Sequence, residues 1–578
     1  MPVVRTAQAA PVGPCTVERV VERICEPFIA AVARAAVLLV ACAGGYAQAP
    51  VVPVDVSAQP FAPSAGACTG AFVAHPLPHI TRSNQEELVF FVANGAGVAL
   101  ADLDGDSRID IALAGMHAPP AVLWNQGGLQ FRKEALDVDG SRAVNAVDVD
   151  GDGRLDLVFT HAGNRPSLWR LDAGRAEPAL RQVPPRQFVG RYNPYSIAWA
   201  DLDGDTDLDM VGASYNAELM ARGFGTPSGG GVFLFTNEGG ALKPDLLVSH
   251  AQALAVLLTD LDGDGRRDIL VGNDFATPDE AFLNKPEGWI DAAPFERTTA
   301  NTMGFAEGDA DNDGRFEIIG IDMKPYQEDP VWTPPLEGKG SMQADDGVQF
   351  VANTLQFRRG DPPVFVDEGG ARGVDATGWS WSVQFGDLDN DGALDLYVVN
   401  GMINEGLFGD LPGDELVEEN QALRNDGTGH FTPAPEWGLG ATEGGRGMSF
   451  ADLDNDGDLD VVVNNFAEPS VLFENRLCGG AALQVELHWE GSLNSRAIGA
   501  LLRLHTSDGR YVREMRASSG YLSSLPARVH FGLGDATGSD VQRLEVIWPD
   551  GAASRIDNPP VGSLLEIRRP AAPESAAP

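Results

Sequence analysis

An all-β fold is predicted by three features of this 578-residue sequence. Short alternating or β-branched apolar runs recur along most of its length. Glycine is abundant, with 67 residues, as turn-rich β proteins require. An aspartate-rich nine-residue pattern returns seven times, each time between two apolar runs. Its clearest copy lies within residues 378–401, where Trp379, Trp381, Val383 and Phe385 alternate before the acids and Leu394, Leu396, Val398 and Val399 follow them.

Each copy places carboxylates at positions 1, 3, 5 and 9. The first has Asp102, Asp104, Asp106 and Asp110, with Arg108 at position 7; the second has Asp148, Asp150, Asp152 and Asp156, with Arg154. The third has Asp201, Asp203, Asp205 and Asp209, with Asp207; the fourth has Asp260, Asp262, Asp264 and Asp268, with Arg266. The fifth has Asp309, Asp311, Asp313 and Glu317, with Arg315. The sixth has Asp387, Asp389, Asp391 and Asp395, with Ala393; the seventh has Asp452, Asp454, Asp456 and Asp460, with Asp458. Such clustered oxygens suit a hard cation such as Ca²⁺, which takes roughly 6–8 oxygen ligands. No acceptor side chain is shared at position 7, so a backbone carbonyl is the ligand expected there. An EF-hand would need helical flanks and Glu at position 12. The residues at position 12 are Leu113, Phe159, Gly212, Val271, Gly320, Val398 and Val463. The pattern therefore reads as a calcium loop tying the turn of a β-hairpin. Position 6 is glycine in five copies, but Ser107 and Thr206 stand there in the first and third, which are expected to be weaker sites.

Successive loops begin 46 to 78 residues apart. Repeats of this size with strand signals predict propeller blades, hence a seven-bladed β-propeller over residues 71–478. An open solenoid is the alternative, but closure removes exposed sheet edges. Several units share a second half in which a strand runs into an Asn/Gly turn, as at Leu123 to Asn125, Val232 to Asn237 and Leu423 to Asn425. The DxDxDGxxD hairpin followed by an LxxNxG strand resembles the FG-GAP/VCBS repeat of integrin-α-type and related propellers. The run Gly378-Trp-Ser-Trp381 with the sixth loop and Val399-Asn-Gly401 resembles the bacterial relatives of cartilage acidic protein.

The formal net charge is −42. One divalent ion per loop would bring it to about −28. Nucleic acid is excluded as a natural partner, because it needs a basic footprint. The apolar run at residues 30–43 is too short to span a membrane comfortably and fits a signal-peptide core, so residues 1–49 read as an export signal. Two processing routes compete. Leu39-Val-Ala-Cys42 resembles a lipobox that would lipidate Cys42, and Ala47-Gln-Ala49 would release a soluble chain. Residues 50–70, rich in Pro, Ala and Ser up to position 67, read as a linker. Cys68 and Cys478 survive either cleavage and bracket the seven repeats. They are expected to form a disulfide that locks ring closure, two unpaired buried thiols being the alternative.

Within the repeats, residues 171–195 read as a linker and 221–231 as a flexible loop, while 322–352 and 402–420 read as insertions. Loops of this kind are where binding function sits on a rigid scaffold. After Cys478 the acidic loops stop. Residues 480–570 read as a separate β domain, with a strand at 483–489, a hairpin across 501–516 and a strand at 541–548; 571–578 read as a disordered tail. This region resembles the ASPIC/UnbV domain at Ala497-Ile-Gly499-Ala500, Ser519-Gly-Tyr521-Leu-Ser523, His530-Phe-Gly-Leu-Gly534 and Val546-Ile-Trp548-Pro549-Asp-Gly551.

No catalytic set is legible: P-loop, HExxH, CxxC and GxSxG patterns are all missing from the sequence. His75 and His79 have zinc-ligand spacing, but Pro76 and Pro78 oppose the helix that would pair them. His530 reads as a packing residue. The expected function is an exported calcium-binding propeller that displays loops to a protein or glycan at the cell surface. The alternatives are an enzyme acting on extracellular polysaccharide from a central channel and a structural envelope component.

Overall fold

The structure, a computed structural model, describes residues 50–571 apart from 65, 84–92, 173–174, 176, 184–187, 189–191, 222–229, 276, 328–347 and 508. The export signal with Cys42 and Ala49, most of the 322–352 insertion and the 572–578 tail lie outside the described residues.

Each acidic loop joins the first and second strands of a four-stranded antiparallel unit, which in the first sheet is extended to six strands by a hairpin from the C-terminal region. The first of these sheets runs Val98–Ala101, Asp110–Leu113, Ala121–Asn125, Phe131–Ala135. The sixth runs Ser380–Gly386, Asp395–Asn400, Gln421–Asn425, Phe431–Pro433. Inner strands are buried along all or nearly all of their length, as in Ser141–Val147 and Ala253–Thr259. Outer strands such as Phe131–Ala135 and Leu242–Val248 are partly exposed. A β-branched or small apolar inner strand with a mixed outer strand is what a sheet edge-on to a common axis demands. The inner strand of each sheet packs against that of the next, and the inner strand of the seventh, Gly445–Ala451, packs against Val98–Ala101 of the first. The sheets therefore close on themselves.

Closure uses both ends of the repeat region. The outer strand of the seventh sheet is Val73–Ile80, paired antiparallel to Pro469–Glu474. Beside it Cys68 and Cys478 are joined as a disulfide, with Cα atoms 5.6 Å apart. His75 and His79 lie on this strand and are engaged separately: the ring of His75 meets Glu474 at 2.7 Å, and that of His79 meets the Ala114 carbonyl at 3.1 Å.

Two assignments made from composition are corrected. Residues 50–70 are not only a linker, because Asp55–Pro60 pairs with Ser563–Arg569 as the edge of a C-terminal sheet. Its side chains are exposed throughout, so backbone pairing to an otherwise open edge holds it, and composition cannot reveal that. Likewise 171–195 is not a plain linker: Leu180–Val183 is the outer strand of the second sheet.

After the seventh sheet, two four-stranded sheets form the C-terminal domain. One contains Asp55–Pro60, Ser563–Arg569, Ala482–Trp489 and Val529–Gly532; the other contains Arg510–Glu514, Leu501–Thr506, Val541–Ile547 and Ala553–Asp557. A small hairpin, Ser518–Ser519 with Ser523–Ser524, leaves this domain and enters the ring. Tyr521 at its tip is fully buried. The hairpin bonds to inner strands of the first sheet through Val98 N–H and Ser523 Oγ at 3.2 Å, and of the second through Val144 N–H and the Leu522 carbonyl at 3.1 Å. Gly520 N–H donates to Phe305 in the fifth sheet at 2.9 Å, and Tyr521 N–H donates to Ser382 Oγ in the sixth at 3.1 Å. Ser449 Oγ of the seventh donates to Ser524 O at 2.9 Å. The Tyr521 hydroxyl lies 2.7 Å from that of Tyr195 and donates to the Asn94 carbonyl at 2.5 Å, and its ring packs on Trp381. A tyrosine suits such a place because it fills apolar volume and carries one polar group that must find partners.

Replacing Tyr521 by Ala should cost about 3–5 kcal/mol through the cavity left behind, whereas Tyr521→Phe, which removes only the hydroxyl bonds, should cost about 1–2 kcal/mol. Denaturant unfolding of the three proteins measures the difference; equal stability of the Ala variant and the parent would show that the hairpin does not anchor the ring.

Candidate metal loops and their covering domain

All seven acidic loops share one backbone arrangement. The position-6 N–H donates to the position-1 carboxylate, as from Gly153 to Asp148 at 2.8 Å and from Gly392 to Asp387 at 2.9 Å. The position-7 N–H donates to the position-5 carboxylate, as from Arg154 to Asp152 at 2.9 Å. The position-2 N–H donates to the position-9 carboxylate, as from Leu261 to Asp268 at 2.7 Å. Positions 4 and 6 both take positive φ. Position 4 is therefore Gly in four loops and Asn in Asn312, Asn390 and Asn455, the residue types that tolerate this region. Ser107 and Thr206 adopt φ of 69° and 75° and make the same bonds as the glycines they replace.

The carboxylates converge. In the first, third and fourth loops, one oxygen each of positions 1, 3 and 9 lie within 4.8 Å of one another; in the second loop the set is Asp148, Asp150 and Asp152, and in the fifth it is Asp309, Asp311 and Glu317. Several buried carboxylate oxygens have no hydrogen-bond partner, among them Asp150 Oδ1, Glu317 Oε1, Asp387 Oδ1 and Asp389 Oδ1. Burial, reinforced by neighbouring acids, raises Asp110 to about 8, Asp387 to about 8 and Glu317 to about 9. Asp395 and Asp460 are driven well above the ordinary carboxylate value by the same causes. A donor set made only of oxygens, with unpartnered oxygens among its buried carboxylates, fits a hard divalent cation. Basic side chains reach the rims of five loops: Arg108 contacts Asp106, Arg170 contacts Asp150, Lys285 contacts Asp262 and Asp264, Arg359 lies 3.8 Å from Asp311, and Arg424 lies 2.8 Å from Asp389.

An asparagine at the end of the third strand completes the arrangement. The N–H groups of Asn125, Asn237, Asn284, Asn425 and Asn475 donate to the second oxygen of the position-9 carboxylate. Their side-chain amides donate to the position-2 carbonyl of the preceding sheet's loop: Asn125 to Leu453, Asn237 to Val149, Asn284 to Leu202, Asn425 to Ala310 and Asn475 to Leu388. One residue thus couples its own loop to the neighbouring sheet. In the second sheet Arg170 takes over the bond to Asp156, through Nε at 2.8 Å. Sequence reading placed Asn125, Asn237 and Asn425 in turns and missed this link; the recurrence of asparagine at the end of the apolar third strand, at offsets from the position-9 acid that vary between 15 and 30 residues, was the available signal.

The C-terminal domain lies over the loops. His530 packs against the seventh loop: its Nε2 meets the Gly457 carbonyl at 3.1 Å, and burial lowers it to about 4. Gly534 N–H donates to the Asn390 carbonyl at 2.6 Å, and a Cβ on Gly532 would stand 2.0 Å from Asp387 Oδ2. The His530–Gly534 motif is therefore a seat on the sixth and seventh loops, with glycine where the backbone approaches a carboxylate.

Family models match in the same places. A model described as FG-GAP-like repeat matches residues 102–159, 148–212, 260–320 and 409–463, and one described as ASPIC and UnbV matches residues 491–574. Mouse (Mus musculus) cartilage acidic protein 1 is 25% identical over 543 residues, covering 82% of this chain and 74% of its own. The chain is a cartilage-acidic-protein-like FG-GAP-repeat protein with a C-terminal ASPIC and UnbV domain. Human (Homo sapiens) integrin alpha-IIb is 25% identical to this FG-GAP-repeat protein over 295 residues, which is 43% of this chain and 26% of the integrin. Among solved structures, BBS1N in complex with ARL6DN aligns with a TM-score of 0.39 at 10% identity, covering 70% of this chain and 96% of that one. No helix among the described residues is long and apolar enough to cross a membrane.

Two outcomes follow from the loops. Carboxyls raised in the folded state bind more protons there than in the unfolded chain, whose carboxyls titrate near 4. In chelator, stability should therefore fall as pH rises from about 4 through the raised values of about 6–9. Saturating Ca²⁺, which needs deprotonated ligands, should flatten or reverse that slope. Thermal melts from pH 5 to 8 with and without Ca²⁺ test this; identical slopes would count against metal in the loops. Separately, Asn425→Ala removes the amide donor from the Ala310 and Leu394 carbonyls and the Oδ1 acceptor from the Gly427 and Gly429 N–H groups, and should cost at least about 2–4 kcal/mol in denaturant unfolding.

Proposed function

We propose that this protein is an exported, calcium-stabilised binding or adhesion module. Its seven loop-bearing sheets are the blades of a seven-bladed β-propeller, and each loop holds one Ca²⁺ through carboxylates at positions 1, 3, 5 and 9 and the carbonyl at position 7. The oxygen-only donor sets and the unpartnered buried carboxylate oxygens support the metal. FG-GAP repeats in integrin-like proteins often bind Ca²⁺, and the likeness to cartilage acidic protein 1 and integrin alpha-IIb supports an extracellular setting. The ion neutralises the clustered acids and fixes each inner turn.

The observation that carries the binding reading over channel catalysis is the Tyr521 hairpin. Catalysis in a central channel needs that channel open to substrate, and here the chain's own C-terminal hairpin enters it, bonded to five inner strands and to Tyr195. Ligand recognition then falls to outward loops. One such loop is the 402–420 insertion, where Met402–Ile403 pairs with Glu415–Leu416 and Val417 is 57% exposed. The partner class is a protein or glycan at the cell surface.

Metal analysis of the purified chain should find about seven Ca²⁺ per molecule. Protein and glycan arrays probed with and without Ca²⁺ should give binding that disappears in chelator. Calcium-independent turnover of a polysaccharide, with no array binding, would overturn the reading.

A further inference from the structure

We propose that the C-terminal domain is a lid on the metal loops, dividing the seven sites into four that release their ions slowly and three that exchange freely with solvent. The inference rests on the calcium reading above and adds a role for the C-terminal domain.

The division is visible in the position-1 aspartates. Asp148, Asp309, Asp387 and Asp452 are 2%, 0%, 1% and 1% exposed. Asp102, Asp201 and Asp260 are only half-buried. The difference is made by particular C-terminal residues. Ser495 Oγ donates to Asp148 Oδ2 at 2.6 Å, and Gln484 Nε2 donates to Asp452 Oδ2 at 2.8 Å. Gly532 lies against Asp387. Arg513, 7% exposed, brings its charge to both Asp309 and Asp387, while its Nε and Nη2 have no hydrogen-bond partner. On the third and fourth loops the domain touches rims only: Ser492 Oγ meets the Thr206 carbonyl at 3.3 Å, and Arg267 pairs with Glu514 at 2.7 Å.

An ion leaves a carboxylate cluster when water enters and the ligands swing outward. Where the C-terminal domain packs on the first ligand or is hydrogen-bonded to it, that ligand cannot swing outward until the domain lifts. Lifting the domain also strains the Tyr521 hairpin out of the ring, so release from the covered loops is coupled to an anchor far from any of them.

The test uses the full chain, loaded with Ca²⁺ and mixed with excess fluorescent chelator in a stopped-flow instrument. Release should be biphasic, with fast and slow amplitudes near three to four. The double variant Ser495→Ala, Gln484→Ala should speed part of the slow phase by about ten-fold or more, the equivalent of lost hydrogen bonds to charged groups, and leave the fast phase unchanged. Tyr521→Ala, which touches no loop, should speed the whole slow phase. A single phase in the parent protein overturns the lid without reference to any variant, as does a slow phase indifferent to all these substitutions. A purified chain that binds no Ca²⁺ would instead overturn the calcium reading itself.

Discussion

Concentrated negative charge at the inner turn is the constraint on which the ring depends. Each turn gathers four carboxylates into one loop, and backbone N–H groups from positions 2, 6 and 7 point at them. Those donors offset part of the desolvation cost, but not all, because several carboxylate oxygens stay buried without partners. The loops thus hold their shape from hydrogen bonds and still call for positive charge. Repeating the arrangement seven times accounts for much of the formal charge of −42.

The loops are also the joints between sheets. In five of the sheets a single asparagine reads the state of its own loop through its N–H and touches the preceding loop through its amide, so most neighbouring loops are joined in pairs. The circle is closed by Val73–Ile80 in the seventh sheet and by the bond between Cys68 and Cys478, 410 residues apart. A third tie runs through the C-terminal domain, which takes an edge strand from the N-terminal side, sits on the acidic loops and sends Tyr521 into the axis. The ring and the C-terminal domain therefore belong to one compact unit.

Much of this was legible in the sequence because it is local. The loop spacing, the positive-φ glycines and the alternating flanks are written in consecutive residues, and they led to the right strand–loop–strand units. The His530–Gly534 and Ser519–Ser523 motifs were visible as patterns, but their work was not: a glycine that clears Asp387 and a tyrosine that fills the ring are defined by partners more than 100 residues away. The tether at 50–70 and the linker at 171–195 misled for a related reason. A strand held by backbone pairing alone, such as exposed Asp55–Pro60, leaves no hydrophobic signature.

The sequence by itself determined that this is an all-β protein of repeated acidic hairpins followed by a second β region, since alternation and turn chemistry act over a few residues. Only the tertiary structure decided which acids are covered and which face water, and what occupies the axis. Those properties arise where the C-terminal domain meets the ring, and contact between segments so distant in the chain depends on global packing that no local pattern encodes.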